Sequence, residues 1–160
     1  MTHTVGCLHV HACPASLLPA VERAVAAQLP ECPAPVWHHR EAGTSYADVD
    51  WHAAPGCAAL LAHALRQLGA VTFEVTEQAS AGQDGERFSF VPGLGLYRAG
   101  TNSAGDLVVD ENQLGAALRE SPNAEALRER IGRLLGRPWD DVLEPLRWRT
   151  AARPLVSATG

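Results

Sequence analysis

His9 and His11 stand two residues apart in residues 5–11 (VGCLHVH), a short apolar run with alternation that reads as a strand. Residues i and i+2 of a strand share a face, so both imidazoles project together, with Cys7 and Cys13 on the same side. A second strand over residues 45–52 (SYADVDWH) turns Tyr46, Asp48, Asp50 and His52 one way and Ala47, Val49 and Trp51 the other. Glu74 lies in a further strand over residues 71–76. Imidazoles and carboxylates gathered on one sheet face could hold zinc or another divalent ion, and His9, His11, Asp50 and Glu74 are the candidate ligands. The competing reading is a polar, solvated outer face of a half-buried sheet, because register is not fixed by the sequence.

Other polar groupings are weaker. The loop at residues 79–86 (ASAGQDGE) could offer backbone amides to phosphate, yet it lacks the Gly-Lys-Ser/Thr ending of a phosphate loop and no helix follows it. An Asp-Gly turn explains it better. Gly93 and Gly95 fail the dinucleotide fingerprint and read as turn glycines. Glu86 and Arg87 read as an ion pair. Asp140, Asp141 and Glu144 read as carboxylates capping a short helix. Cys13 precedes Pro14 at an expected helix N-terminus, a position that lowers a thiol pKa, against the alternative of a small buried residue. Arg147 and Trp148 are candidate interface residues, since Arg and Trp are enriched where binding energy concentrates.

The elements that must position these groups are set by periodicity. Residues 16–29 predict a helix with Leu17, Val21, Ala24 and Val25 on one stripe, and Pro30, Pro33 and Pro35 lead into a strand at 36–40. A helix between Pro55 and Gly69 carries Cys57, Leu61, Ala64, Leu65 and Leu68 inward. The order βαββαβ predicts an α+β, ferredoxin-like sandwich with both helices on one face of an antiparallel sheet. Strands at 87–91 and 95–99 flank Pro92-Gly93 and extend this core as a β-ribbon. The C-terminal part is helical: a helix opened by Asp110 and Gln113, a second over 124–135 ended by Gly136, and a short capped turn at 139–146 that docks Trp139. The expected organisation is an α+β core with its ribbon over 1–109, a helical segment over 110–149 and a flexible tail over 150–160.

The bulk composition narrows the function classes. All 13 basic residues are arginine, and the formal charge is −5. Five arginines face twelve acids through Leu118, and eight face six from Arg119 onward. Phosphate backbones are bound by cationic patches, so an acidic main body argues against a nucleic-acid partner. No C-x-x-C pair, signal peptide or long apolar run is present, which predicts a cytoplasmic protein with reduced thiols and no membrane partner.

The blocks GCLHVHACP (6–14), WHAAPGCAALLAHAL (51–65), EVTEQASAGQDGERFSF (74–90), PGLGLYRA (92–99) and LLGRPWDDVLEPLRW (134–148) span nearly the whole chain. Through them the chain resembles an uncharacterised actinobacterial family catalogued as a domain of unknown function. The resemblance implies a small cytoplasmic protein linked to fatty-acid metabolism and supplies no catalytic residues. His9 departs from it, standing where the resemblance implies an aromatic residue. Together the residues and the resemblance predict a non-catalytic accessory or regulatory protein acting through protein–protein contact, with an unidentified partner or a second copy of the chain and no cofactor. The alternative is a small metal-dependent or ligand-binding enzyme on the His- and Asp-bearing sheet face.

Overall fold

Strict alternation decides the two faces of the sheet. The computed structural model describes residues 3–40 and 42–151, with side chains through residue 147. It contains β1 (Thr4–Pro14), α1 (Leu18–Gln28), β2 (His38–His39), β3 (Thr44–Ala53), α2 (Cys57–Arg66), β4 (Thr72–Glu77), β5 (Gly85–Val91), β6 (Gly95–Thr101), β7 (Leu107–Val108), α3 (Glu111–Glu120), α4 (Ala124–Leu134) and α5 (Arg137–Ala151). The architecture is mixed α+β: one antiparallel seven-stranded sheet in the order β2-β3-β1-β4-β5-β6-β7, with five α-helices among the described residues.

On one face, Val49, Leu8, Val75 and Phe88 stand in a row across four strands, and Ala47, Val10, Phe73, Phe90 and Leu96 in the next. Against them α1 sets Val21 and Val25, and α2 sets Ala58, Leu61, Ala62 and Leu65, closing the main core. Each large aliphatic or aromatic side chain buried there contributes about 1.5–3 kcal/mol of transfer free energy. Gly6 is fixed by close approach: a Cβ at this position would collide with the Trp51 indole and the Thr76 carbonyl. The α2 N-terminus is held from the sheet, where the buried Glu77 accepts from Gly56 N at 2.7 Å and Ala58 N at 2.9 Å. That places a carboxylate where the helix leaves amides unpaired and its dipole is positive.

The opposite face is half covered. Tyr97 and Ala99 of β6, with Val91, form a second cluster with Trp139 and Leu143 of α5. Tyr97 stacks on Trp139 at 5.1 Å and donates from its hydroxyl to Leu134 O at 2.8 Å, fixing the end of α4. Trp139 donates to Gly95 O at 2.9 Å. The helices α3 and α4 pack on one another, and α4 on α5. None of the described helices is long and apolar enough to cross a membrane.

Three expectations change. The strand expected at 36–40 is only His38–His39, an edge strand that pairs with Tyr46 and Ser45 of β3. The short turn at 139–146 is part of a 15-residue helix. Pro145 is accommodated inside it because Pro145 and Asp141, whose carbonyl loses its donor, both face solvent. The sheet face expected to be open is roofed over β5 and β6 by that same helix. The expected flexible tail at 150–160 and the Trp148 side chain lie outside the described residues, apart from the backbone through Ala151.

Candidate functional site

Register builds the site. Across the face away from the main core, Asp48, His9, Glu74, Ser89 and Tyr97 stand in one cross-strand row, and Asp50, Cys7, Thr76, Arg87 and Ala99 in the next. Beyond His9, strand β1 is irregular: Val10 pairs with Phe73 but Ala12 with Thr72, so the strand carries one extra residue, a bulge. His11 lies at this bulge and its ring reaches back to Glu74. The same extra residue reverses the parity of the strand beyond it, and Cys13 falls into the core instead of joining Cys7 on the outer face. Of the two readings of Cys13, the small buried residue is the one found: burial pushes the thiol up to about 11.

Glu74 is the centre of the arrangement. It is 5% exposed, and His11, which donates from Nε2 to Glu74 Oε2 at 2.8 Å, is 3% exposed. Arg147 of α5 forks onto both oxygens, with Nε 2.9 Å from Oε2 and Nη2 on Oε1. Arg87 Nη2 donates to Oε1 at 3.0 Å and Ser89 Oγ at 3.3 Å. Burial alone would raise this carboxyl. The hydrogen bonds from His11 and Arg147 and the charges of Arg147 and Arg87 outweigh burial and hold it well below the usual carboxylate range. Asp140 Oδ1 joins the two guanidiniums from above, 2.8 Å from Arg87 Nη2 and 2.9 Å from Arg147 Nη2.

His9 forms a separate, more exposed pair. Its Nδ1 donates to Asp48 Oδ1 at 2.7 Å, and its side chain is 41% exposed. The bond to Asp48 raises the imidazole pKa, and the same bond lowers that of Asp48. Cys7 Sγ sits 3.8 Å from the same Nδ1. This Cys–His–Asp grouping is not an activated nucleophile, because the nitrogen near the thiol is committed to Asp48. Burial and the Asp50 carboxylate push the Cys7 thiol up to about 12.

His9, His11, Asp48, Glu74, Thr76, Arg87 and Arg147 line a cleft of about 560 Å³ between the sheet and α5. Of the four residues expected to gather as metal ligands, His9, His11 and Glu74 meet there. Asp50 lies one row away, in a neighbouring cleft with Cys7, Cys32, His52 and Gln78. No group of three or more His, Cys, Asp and Glu side chains converges on a metal position among the described residues. Glu74 is instead occupied by two guanidiniums, which a divalent cation would have to displace.

Arg147, expected on a surface, turns inward to Glu74, Asp140 and Glu144. The expected Glu86–Arg87 pair does not form, since neighbours on a strand point to opposite faces. Glu86 pairs with Arg98 on one side, and Arg87 with Glu74 and Asp140 on the other. Asp140 is thus a bridging ligand for two arginines as well as an acid in the first turn of α5. The parts of the site the sequence does not reveal are Arg87 and Asp140. Alternation put Arg87 and Ser89 on one face, but only register sets them beside Glu74.

No curated protein and no solved structure matches this chain. The model of one family, described as protein of unknown function (DUF3145), matches residues 7–156, so nearly all of the chain, cleft and α5 included, belongs to that family.

Proposed function

We propose that this chain is a non-catalytic accessory or regulatory protein of the cytoplasm that acts through contact with a protein partner, and that the cleft between the sheet and α5 is its point of control. The observation that carries this is the Glu74 network. Two arginines, one from β5 and one from α5, converge on one buried carboxylate, so a molecule entering the cleft touches the sheet and the helical segment together. The protonation states also suit holding better than reacting. Glu74 stays ionised, the Cys7 thiol stays protonated, and the half-exposed His9–Asp48 pair is shifted toward its charged form on both sides. Surface for a partner is available where Val108 of β7 and Leu114 and Leu118 of α3 are exposed, α3 packing on the arginine-bearing α4.

The frame fits this reading. The strand order β2-β3-β1-β4, with α1 and α2 on one side, supports a ferredoxin-like βαββαβ unit extended by β5, β6 and β7. The test is affinity capture from native lysate with the full chain and with Arg147→Ala, followed by sizing of the captured complex. A partner retained by the full chain and lost or altered with Arg147→Ala supports the reading; no reproducible partner sinks it. The oriented His9–Asp48 pair favours a second reading, an enzyme using His9 to carry a proton. A metal-dependent form of that enzyme predicts stoichiometric metal in protein purified without chelator, and a melting temperature that falls when chelator is added.

A further inference from the structure

We infer that the cleft binds a ligand through an oxyanion, a carboxylate or a phosphate group, held between His9 Nε2 and one free guanidinium N–H of Arg87, at Nε or Nη1. This rests on the reading of the cleft as the working site and supplies its ligand chemistry. Both side chains line the same cleft, in adjacent cross-strand rows of one sheet face. His9 is anchored through Nδ1 to Asp48, which leaves Nε2 as its outward edge. Arg87 is anchored through Nη2 alone, to Glu74 and Asp140, and its Nε and Nη1 have no partner among the described residues. Each is therefore a donor fixed in place by a carboxylate behind it, with further N–H groups to offer.

The acceptors nearby are largely spent. Both oxygens of Glu74 receive donors, from His11, Arg147, Arg87 and Ser89. Asp48 Oδ1 receives His9, and Asp140 Oδ1 receives both arginines. The second oxygens of Asp48 and Asp140 remain, on side chains 44% and 36% exposed, where water screens them. Cationic Arg87, Arg147 and His9 face anionic Asp48, Glu74 and Asp140, with Glu144 and Asp50 at the margin. The affinity for an arriving anion comes from aligned donors rather than from net positive charge. Charge-assisted bonds of this kind are roughly twice as strong as neutral ones. A cation lacks this complementarity, because the buried carboxylate is already filled. The volume, about 560 Å³, suits a metabolite-sized body behind the anionic group.

The experiment uses the full chain labelled with 15N, titrated separately with inorganic phosphate, acetate and succinate while the His9 Nε2 and Arg87 Nε resonances are followed. The expected result is saturable shifts at both nitrogens, with dissociation constants on the order of millimolar for these fragments. Phosphate alone saturating identifies a phosphorylated ligand; acetate or succinate saturating identifies a carboxylate. His9→Gln, at an exposed position, and Arg87→Lys, which keeps the charge and removes the fixed guanidinium N–H, should each weaken binding about tenfold. If Arg87→Lys does not fold, His9→Gln decides alone. No saturable shift with any of the three anions, or unchanged affinity in folded His9→Gln, overturns the inference. A partner captured through the cleft with no anion bound overturns this inference and leaves the regulatory reading standing. Anion binding with partner capture unaffected by the anion does the reverse.

Discussion

Glu74 concentrates the energetics at the residue scale. A buried ion pair is weak evidence of net stability, but removing one member leaves the other uncompensated. Glu74→Gln would strand Arg147 and Arg87, whose side chains are 29% and 25% exposed and can turn partly to water. The expected loss is therefore toward the lower end of about 3–5 kcal/mol, read as a lower urea midpoint. The sign of its pH dependence is set by linkage. The folded carboxyl has a depressed pKa, so as pH falls below about 4.3 the unfolded state takes up the proton first and unfolding is favoured. Glu74's contribution is present above that value and is lost as pH falls through the folded one. An acid stability profile for Glu74→Gln as steep as the parent's would contradict this role. His9 runs the other way: its folded pKa is raised, so its contribution is present below about 6.5 and fades as pH rises through the folded value. His9→Gln should flatten that limb of a melting-temperature profile. The thiols give an independent check. Burial raises all four, Cys7 to about 12 and Cys13 to about 11, so alkylation at neutral pH should be slow until denaturant is added. Fast labelling of Cys7 in the native protein would mean an activated thiol after all.

At the scale of elements, strand β1 does two jobs that conflict in a regular strand. Leu8 and Val10 must face the main core, and His9 and His11 the cleft, while Cys13 must return to the core. The bulge reconciles them by adding one residue between Val10 and Cys13. This explains what the sequence discloses and what it withholds. The alternation in β3 is plain in Tyr46, Asp48, Asp50 and His52, and it correctly places the carboxylates opposite Val49 and Trp51. Within one strand, period two suffices to assign faces. A bulge leaves no compositional mark in residues 10–13, so the parity of Cys13 could not be read. Register across β1, β4 and β5 is equally silent, because β1 pairs with β4 residues 60 or more positions away. Hence His9, His11 and Glu74 were legible as a group, whereas Arg87 and Asp140 were not. Gly6 tests the geometry of β1 directly. Gly6→Ala drives a methyl into the Trp51 indole and the Thr76 carbonyl, one of which is backbone that can yield little. A destabilisation of about 1–3 kcal/mol or more is expected in chemical denaturation. A variant as stable as the parent would show that β1 and β3 do not approach so closely.

At the scale of the molecule, two apolar clusters lie on opposite faces of one sheet. The larger joins α1 and α2 to β1, β3, β4 and β5; the smaller joins Val91, Tyr97 and Ala99 to Trp139 and Leu143. The smaller one holds α5 down, and the Glu74 network sits at its margin, so release of α5 and opening of the cleft are one event. Units with few buried apolar contacts open at lower free energy than the global transition. Leu143 is fully buried, and Leu143→Ala should remove about 2–5 kcal/mol from the smaller cluster. Hydrogen exchange of the folded variant is then expected to quicken across residues 111–147, while amides of β1, β4 and α2 keep their protection. Arg147→Ala should quicken exchange over the same helical segment, because it cuts the polar tie between α5 and the sheet. If both variants instead accelerate every amide equally, the chain opens only as a whole. The cleft could not then be gated by α5, and a ligand would reach Glu74 only through the mouth beside His9.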